Sequence, residues 1–424
     1  MELITLGSIM NMKKGKKPKT MSKVNKNGYV PYVDIKAFEN RIIDSYADPE
    51  DCLLCNDGDI LIVCDGSRSG LVGKAISGAV GSTLAVISAK GCSNDYLYYF
   101  LQSLYTMLNT KKKGTGTPHL NPEILKNAKL VVPSISEQER IVARIEELFS
   151  QLDASVAELQ AAKKRLKVYR QAVLKEAFEG KLTECWRKEQ PEISLDDYWA
   201  EVCKIKEECH NATHYQMEEV MTLPELPDGW KWVCVGDIIS GPEYGTSKKS
   251  SKVGDVPVIR MGNLQNGEID WSDLVFSNDT EEIERYRLKP NTVLFNRTNS
   301  PELVGKTAIF RGEREAIFAG YLIRLNQIDC INPEYLNYYM NSFIAKNYGN
   351  RVKTDGVNQS NINGKKLCTY PFPLCTRAEQ DRVVYELEAC LSVCNNIEHT
   401  VDAALLQAEA FRQSILKQAF EGKL

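Results

Sequence analysis

At 424 residues the chain is long enough for two or three domains, each able to bury a core. A composition 43% apolar and 26% charged, with mean hydropathy −0.32, excludes collagen-like, disordered and disulfide-scaffold classes. A net charge of −3 excludes a uniform polycation, and no apolar run approaches the ~18–20 residues that cross a bilayer. Thirteen scattered cysteines, an odd number, read as reduced thiols, and the first residues lack the basic, apolar and small-residue order of a signal peptide. The expected location is the cytoplasm, with no membrane as partner.

Residues 1–28 hold seven lysines (Lys13, Lys14, Lys16, Lys17, Lys19, Lys23 and Lys26) against one acid, Glu2. Apolar runs at 59–64 (DILIVC) and 83–88 (TLAVIS), bounded by turn formers, predict strands. A tyrosine-rich amphipathic stretch at 95–108 predicts a helix lying on the sheet. Cys52-Leu-Leu-Cys55 has no second pair at zinc-ribbon spacing and is read as an ordinary pair of thiols. From Glu137 to Phe178 the pattern is that of a long helix, opened by a capping box, Ser134-Ile-Ser-Glu137, and stopped near Gly180. Residues 183–222, with ten acids against four bases, form an acidic helical linker; within it His210 and His214 stand four apart but lack the glutamate of a HExxH zinc site. Runs at 292–296 (TVLFN) and 321–325 (YLIRL) predict strands, 333–348 a second tyrosine-rich helix, and Thr376-Arg-Ala-Glu379 a second long helix ending near Gly422. The expected class is α+β, with globular segments at 1–133 and 223–375, long helices within 134–182 and 376–424, and the linker at 183–222.

These elements repeat. RQAVLKEAFEGKL at 170–182 returns as RQSILKQAFEGKL at 412–424, and EQER at 137–140 returns as EQDR at 379–382, all at one offset of 242 residues. With small gaps the match extends upstream: LVGKAI at 71–76 with LVGKTAI at 303–309, YLYYFL at 96–101 with YLNYYM at 335–340, and VPYVDI at 30–35 with VPVIRM at 256–261. Alternate steps of four and three along the first helix give Ile141, Ile145, Leu148, Leu152, Ser155, Leu159, Ala162, Leu166, Tyr169 and Val173. The same register moved by the offset gives Val383, Leu387, Cys390, Cys394, Ile397, Val401, Ala404, Ala408, Phe411 and Ile415, the seam of a coiled coil. Two such helices in one chain are each other's expected partner, antiparallel about a pseudo-two-fold axis, with a globular domain at each end. The seam does not name its partner, so a helix from another protein is the alternative.

Catalytic signatures are absent. Leu303-Val304-Gly305-Lys306-Thr307 ends like a phosphate-binding loop, but Ser300 stands where that loop requires glycine, and no GxGxxG opens a helix after a strand. His119, His210, His214 and His399 fit no nucleophile-and-base set, so no catalytic, cofactor or metal residue is assigned. What the domains offer instead are polar loops with the donors that phosphates and base edges accept. In the first these give Lys13, Lys14, Lys16, Lys17, Arg68, Ser69, Lys112, Lys113, Thr115 and Thr117 as DNA-binding candidates. In the second they give Lys248, Lys249, Lys252, Arg297, Asn299, Lys353, Asn358, Gln359 and Ser360, at matching places in the repeat.

The motifs Leu6-Gly7-Ser8-Ile9 and Val235-Gly236-Asp237-Ile238-Ile239, the LVGK strands, the EQ-[ED]-R helix entry, the LK-x-AFEGKL close and LPDGWKWVCVGDI at 226–238 resemble the specificity subunits of type I restriction-modification systems. The first domain lacks the LPxGW portion. The resemblance implies two α/β target recognition domains, each reading half of a split, asymmetric sequence in double-stranded DNA, with the antiparallel helices fixing the gap. It further implies two methyltransferase subunits docked on the helices, and restriction subunits that translocate and cut. S-adenosylmethionine, ATP and magnesium would sit on those partners, and this chain would itself be non-catalytic. Read from the residues alone, the alternative is a coiled-coil adaptor with a protein-binding domain at each end.

Overall fold

The computed structural model describes residues 3–112, 118–190, 194–209 and 213–424. Two compact units divide the chain: Met1–Ala161 with Thr400–Leu424, and Ala162–His399. The sequence keeps each long helix whole, whereas the compact units share both helices between them.

In the first unit a four-stranded antiparallel sheet runs in the order Met10–Lys14, Leu84–Ala89, Ile60–Val63, Val72–Lys74. Its central strand, Ile-Leu-Ile-Val, is buried throughout because it serves two cores at once. Alternate side chains of a strand point to opposite faces. Ile60 and Ile62 therefore join Leu97, Phe100, Leu101, Ile141 and Ile145 on one side, while Leu61 and Val63 join Val33, Phe38 and Leu84 on the other. That second side is covered by a five-stranded sheet whose strands Val30–Val33 and Gly78–Val80 are parallel. A short ladder of Leu3–Thr5 with Lys129–Val131 closes the domain and delivers the chain to the first long helix, Ile135–Phe178.

The second unit uses the same plan. Its sheet runs Ile239–Tyr244, Leu322–Gln327, Thr292–Asn296, Thr307–Phe310, with Val293 and Phe295 in the helix-side core and Leu294 among Ile259, Phe310 and Phe318 on the other. Val256–Ile259 and Ile317–Phe318 repeat the parallel pair, and Lys231–Cys234 with Pro371–Leu374 the closing ladder. Gly15 and Gly245 occupy one position in this plan. A Cβ on either would stand 2.2 Å from a carbonyl oxygen, of Val80 or of Phe318, so no larger residue fits. The segment 183–222 forms helices Glu184–Glu189 and Leu195–Glu208 that pack into this unit. Val202 is fully buried, Tyr198 donates to the Cys330 carbonyl at 2.5 Å, and the buried Lys206 ammonium lies 3.3 Å from Asp237. The acidic run is therefore structural on its inner face.

The tyrosine-rich stretches are each two helices. Asn94–Ser103 breaks at Leu104 before Tyr105–Thr110, and Pro333–Met340 breaks before Phe343–Val352, where Ser342 caps the new helix by accepting from Ala345 N–H. Their rings hold the end of a long helix. Phe420 stands edge-on to Tyr96 and Phe100, both at 5.2 Å, and Phe178 edge-on to Tyr335 and Tyr339, both at 5.2 Å. Gln138 accepts from Ser93 N–H and donates to the Pro133 carbonyl, both at 2.8 Å. Gln380 does the same with Asn332 N–H (2.8 Å) and the Cys375 carbonyl (2.9 Å).

The long helices, Ile135–Phe178 and Arg377–Phe420, have 44 residues each, or about 66 Å at 1.5 Å per residue. Within the first unit their segments are antiparallel, with Arg412 on Asp153 and 4.3 Å over the Phe149 ring while Leu416 and Ala419 reach Ile141 and Ile145. Within the second they are antiparallel too, with Arg170 2.7 Å from Glu398 and Arg187 2.8 Å from Glu379. Both end in left-handed glycines, Gly180 and Gly422, with Lys181 N–H bonded to the Glu176 carbonyl and Lys423 N–H to that of Gln418, both at 2.9 Å. Only half of each capping box forms. Ser134 and Thr376 accept from Glu137 and Glu379 N–H at 3.4 Å, but the Glu137 carboxylate turns to Arg140 and that of Glu379 to Thr183 and Arg187.

The heptad is also narrower than its sequence. Leu387, Cys394, Val401 and Ala408, seven apart, are buried, as are Val383, Ile141 and Ile145. Leu148, Leu152, Leu159, Leu166 and Ile415 are half-buried, and Ile397 and Phe411 are 44% and 57% exposed, so these two do not belong to the seam. A pair of helices meeting over small side chains such as Cys394 and Ala408 covers a single line, and the larger residues beside that line lean into solvent. Phe178→Ala should therefore cost about 3–5 kcal/mol, whereas Phe411→Ala should stay within about 0.5 kcal/mol; urea unfolding of the two variants measures the contrast.

Candidate nucleic-acid interface

Strand direction decides which loops share an edge. Met10–Lys14 and Ile60–Val63 both run antiparallel to Leu84–Ala89, so the loops that follow them, from Gly15 and from Cys64, leave the sheet at one edge. The loop before the short helix Pro122–Lys126 joins them there, through Leu120 N–H to the Cys64 carbonyl (2.7 Å) and Gly66 N–H to the Pro118 carbonyl (2.8 Å). The long helix starts beyond the ladder at Leu3–Thr5, at the opposite edge. The second domain gathers its loops likewise, with Ile362 N–H on the Arg297 carbonyl (2.8 Å) and Thr298–Asn299 paired with Ser360–Asn361.

At equivalent points the two clusters are tied by different chemistry. In the first, Asp65 accepts from Lys14 Nζ at 2.8 Å and lies 2.7 Å from His119 Nδ1, so one carboxylate holds three loops. Burial by itself would raise that carboxyl, but the hydrogen bonds and charges of Lys14 and His119 outweigh it and hold Asp65 below the usual carboxylate value. In the second, Asn361 Nδ2 donates to Thr298 Oγ1 at 2.7 Å, a neutral tie in the same place. Beside it Arg297 donates through Nε to the Gly320 carbonyl at 2.9 Å and lays its guanidinium 4.7 Å from the Tyr244 ring centre, while the Tyr244 hydroxyl accepts from Gly364 N–H at 2.8 Å.

The candidates chosen from the sequence divide accordingly. Lys13, Lys16, Lys17, Lys249, Lys252, Asn358 and Gln359 are exposed, and their side chains have no partner among the described residues. Lys14 is tied to Asp65, Arg68 to Glu39 at 2.5 Å, Lys112 to the Ser67 carbonyl at 2.6 Å, and Lys248 to Asp279 at 2.7 Å. Lys353 donates to the Pro301 carbonyl at 3.2 Å, and the Asn299 carboxamide oxygen accepts from Ser300 N–H at 2.8 Å. Two candidates are corrected. Ser69 and Ser360 are fully buried, Ser69 donating to the Gly66 carbonyl at 2.7 Å and Ser360 to Asp355, so neither faces a ligand. Arg297 is corrected in role, since its guanidinium is committed within the domain. Lys113, Thr115, Thr117 and His210 lie outside the described residues.

Asp65, His119, Tyr244 and the glutamines Gln138 and Gln380 were not among the assigned sites. The glutamines were signalled by their place in the repeated EQ-[ED]-R motif, whereas the Asp65–His119 tie joins residues 54 apart and left no local mark. Cys55 donates to the Ile76 and Gly78 carbonyls, and burial pushes its thiol up to about 11, the state of an inert core residue. After Lys306 the chain enters the strand Thr307–Phe310, so this LVGK is followed by no helix N-terminus to cradle phosphate. Among the described residues no three metal-ligating side chains cluster, and no helix is long and apolar enough to cross a membrane.

The sequence family described as "Type I restriction modification DNA specificity domain" matches residues 1–164 and 227–407. The EcoKI specificity subunit of Escherichia coli strain K12 is 27% identical over 77% of this chain and 64% of its own length, so the chain spans somewhat less than two thirds of that relative. The EcoBI specificity subunit of Escherichia coli is 23% identical over 99% of this chain and 85% of its own. A solved structure described as bearing on complex assembly and conformational transition of the type I R-M system shares the fold, with TM-score 0.68 and 18% identity over 100% of this chain and 98% of that one.

Asp65→Ala should speed amide exchange at Gly66 and Leu120 by about an order of magnitude, the effect of losing about 1.5 kcal/mol of charged hydrogen bonding. Ile362, in the second domain, should be unaffected. The depressed carboxyl sets the pH sense: the tie is intact above the ordinary value of 3.8 and weakens as pH falls through the lower folded value. Exchange followed by mass spectrometry at neutral and acid pH reads both effects.

Proposed function

Because the chain belongs to the specificity subunits of type I restriction-modification systems, with the family's DNA specificity domain matched twice along it, we propose that it reads a bipartite, asymmetric DNA target. The observation that carries this reading is one scaffold used twice with different loop chemistry: Asp65 with His119 in one domain stands where Thr298 with Asn361 stands in the other. Equal frames with unequal contact surfaces are what two different half-sites demand. The exposed lysines grip phosphate without regard to sequence, and the exposed amides read base edges.

The paired long helices set the gap between the half-sites. Their sequences match closely at both ends, EQER with EQDR and RQAVLKEAFEGKL with RQSILKQAFEGKL, which suits two copies of one partner; we take these to be the methyltransferase subunits, with restriction subunits joining to translocate and cut. Adenine methylation with S-adenosylmethionine, and ATP hydrolysis with magnesium, belong to those partners, and this subunit makes no bond itself. The setting is the cytoplasm.

Co-expression with its methyltransferase, followed by mapping of methylated adenines across the host DNA, should reveal a split motif with a fixed gap. Exchanging one recognition domain should change one half of that motif only, and a change in both halves would sink the modular reading. Binding should weaken with salt at about −0.9 log units per log unit for each phosphate neutralised, so the triple variant Lys13→Ala, Lys16→Ala, Lys17→Ala should shallow the slope by about 3 without altering the motif. A complex whose DNA binding ignores salt would point to the protein adaptor.

A further inference from the structure

In the second domain the loop ahead of the helix Gly364–Cys368 is a β-finger. Thr354–Asp355 pairs antiparallel with Ser360–Asn361, and residues 356–359 close the turn through Gly356 N–H to the Gln359 carbonyl at 2.8 Å. The root is fastened on both sides. Ser360–Asn361 also pairs with Thr298–Asn299, Lys366 Nζ donates to Thr354 Oγ1 at 2.8 Å, and Ser360 bonds Asp355 across the finger. The tip is free: Val357 is 100% exposed, and the Asn358 and Gln359 carboxamides have no partner among the described residues.

A fixed root and an unpaired tip suit an element that meets a ligand as a preformed shape, with little ordering left to lose. The tip, Gly-Val-Asn-Gln, carries no charge, so it has nothing with which to hold a phosphate. Two strands about 4.8 Å apart with their side chains make a ribbon roughly 10 Å across. That ribbon enters a major groove about 12 Å wide and is excluded from a minor groove of about 6 Å. In the major groove adenine presents the N7 acceptor beside the N6 donor, the pattern a carboxamide matches with both its atoms, and thymine presents a methyl group to apolar side chains. Exposed charge that could hold a phosphate lies instead on another loop of the domain, at Lys249 and Lys252.

Resting on the functional reading above, we propose that this finger is the major-groove reader of the second domain and that its tip specifies A·T pairs, the Asn358 and Gln359 carboxamides each meeting one adenine and Val357 a thymine methyl. The test uses the complex with its methyltransferase subunits, its target first mapped with the unaltered chain. Asn358→Ala and Gln359→Ala should each relax one A·T position in the half read by the second domain, with discrimination there falling on the order of 10- to 100-fold. The other half of the motif and the salt slope should not change. Asn358→Asp should move the preference at that position toward cytosine, whose N4 amino group donates to a carboxylate. Because the tip is fully exposed, melting temperatures should match the unaltered chain. An unchanged motif in all three variants overturns the proposal, and so does equal weakening on every sequence with a slope shallower by about 1, the mark of a phosphate contact. An unaltered complex without salt-dependent DNA affinity overturns the functional reading and the finger with it, whereas normal binding with an indifferent tip overturns the finger alone.

Discussion

The helix-side core of each domain is completed by a phenylalanine from the far end of the other repeat's helix. Phe420, in the second repeat, closes on Tyr96 and Phe100 of the first domain, and Phe178, in the first repeat, closes on Tyr335 and Tyr339 of the second. Fully buried, Phe178 contributes about 1.5–3 kcal/mol by burial and the half-buried Phe420 less, and each edge-on ring pair adds about 0.5–1.5 kcal/mol. These contacts explain why the sequence AFEGKL occurs twice unchanged. The phenylalanine fills the core, and the glycine two residues later permits the left-handed turn that ends the helix. They also explain why the compact unit around the first domain takes in Thr400–Leu424.

The glutamines of the EQ-[ED]-R motif set the other end of each helix. Gln138 and Gln380, both buried, satisfy one backbone N–H at the cap of the tyrosine-rich helix and one carbonyl at the end of the closing ladder. Tyr96 and Tyr335 extend the same brace, donating to the Val131 and Pro373 carbonyls at 2.8 Å. A buried amide that meets two backbone groups leaves little room for substitution, since replacing it would leave both unsatisfied at about 1–3 kcal/mol each. The motif that starts each long helix is thus also a corner joint.

Much of this frame was legible in the sequence because it is local or repeated. The two long helices, their glycine stops, the strands at 59–64 and 292–296 and the pairing of the repeats all follow from periodicity and self-similarity. The seam was over-read at Ile397 and Phe411, because a heptad states which residues are apolar and leaves open how many lines of contact a helix pair forms. The loops were legible only as composition. Ser69 and Ser360 carry the same hydroxyl as a base-reading serine, yet both are spent on turns inside their domains. Nothing in the local sequence separates Lys14, bound to Asp65, from Lys13, whose side chain has no partner among the described residues, since the difference is made by a residue about fifty positions away. Side-chain type is written in the sequence, and its availability is set by the fold.

The separation of frame from loops gives the domains their freedom to vary. In each sheet the helix-facing side chains, Ile60 and Ile62 or Val293 and Phe295, lie on one face of the central strand, and the loops leave from its end. The corner joint and the aromatic closure sit at the opposite edge, about one strand length away, or roughly 16 Å for five residues. A change in the tie between loops, from the charged Asp65–His119 pair to the neutral Thr298–Asn361 pair, therefore reaches neither the glutamine joint nor the phenylalanine socket. Both domains keep those two features while differing at the loops. The loops can thus be replaced while the glutamine joint and the phenylalanine socket that fix each domain to its helices stay constant.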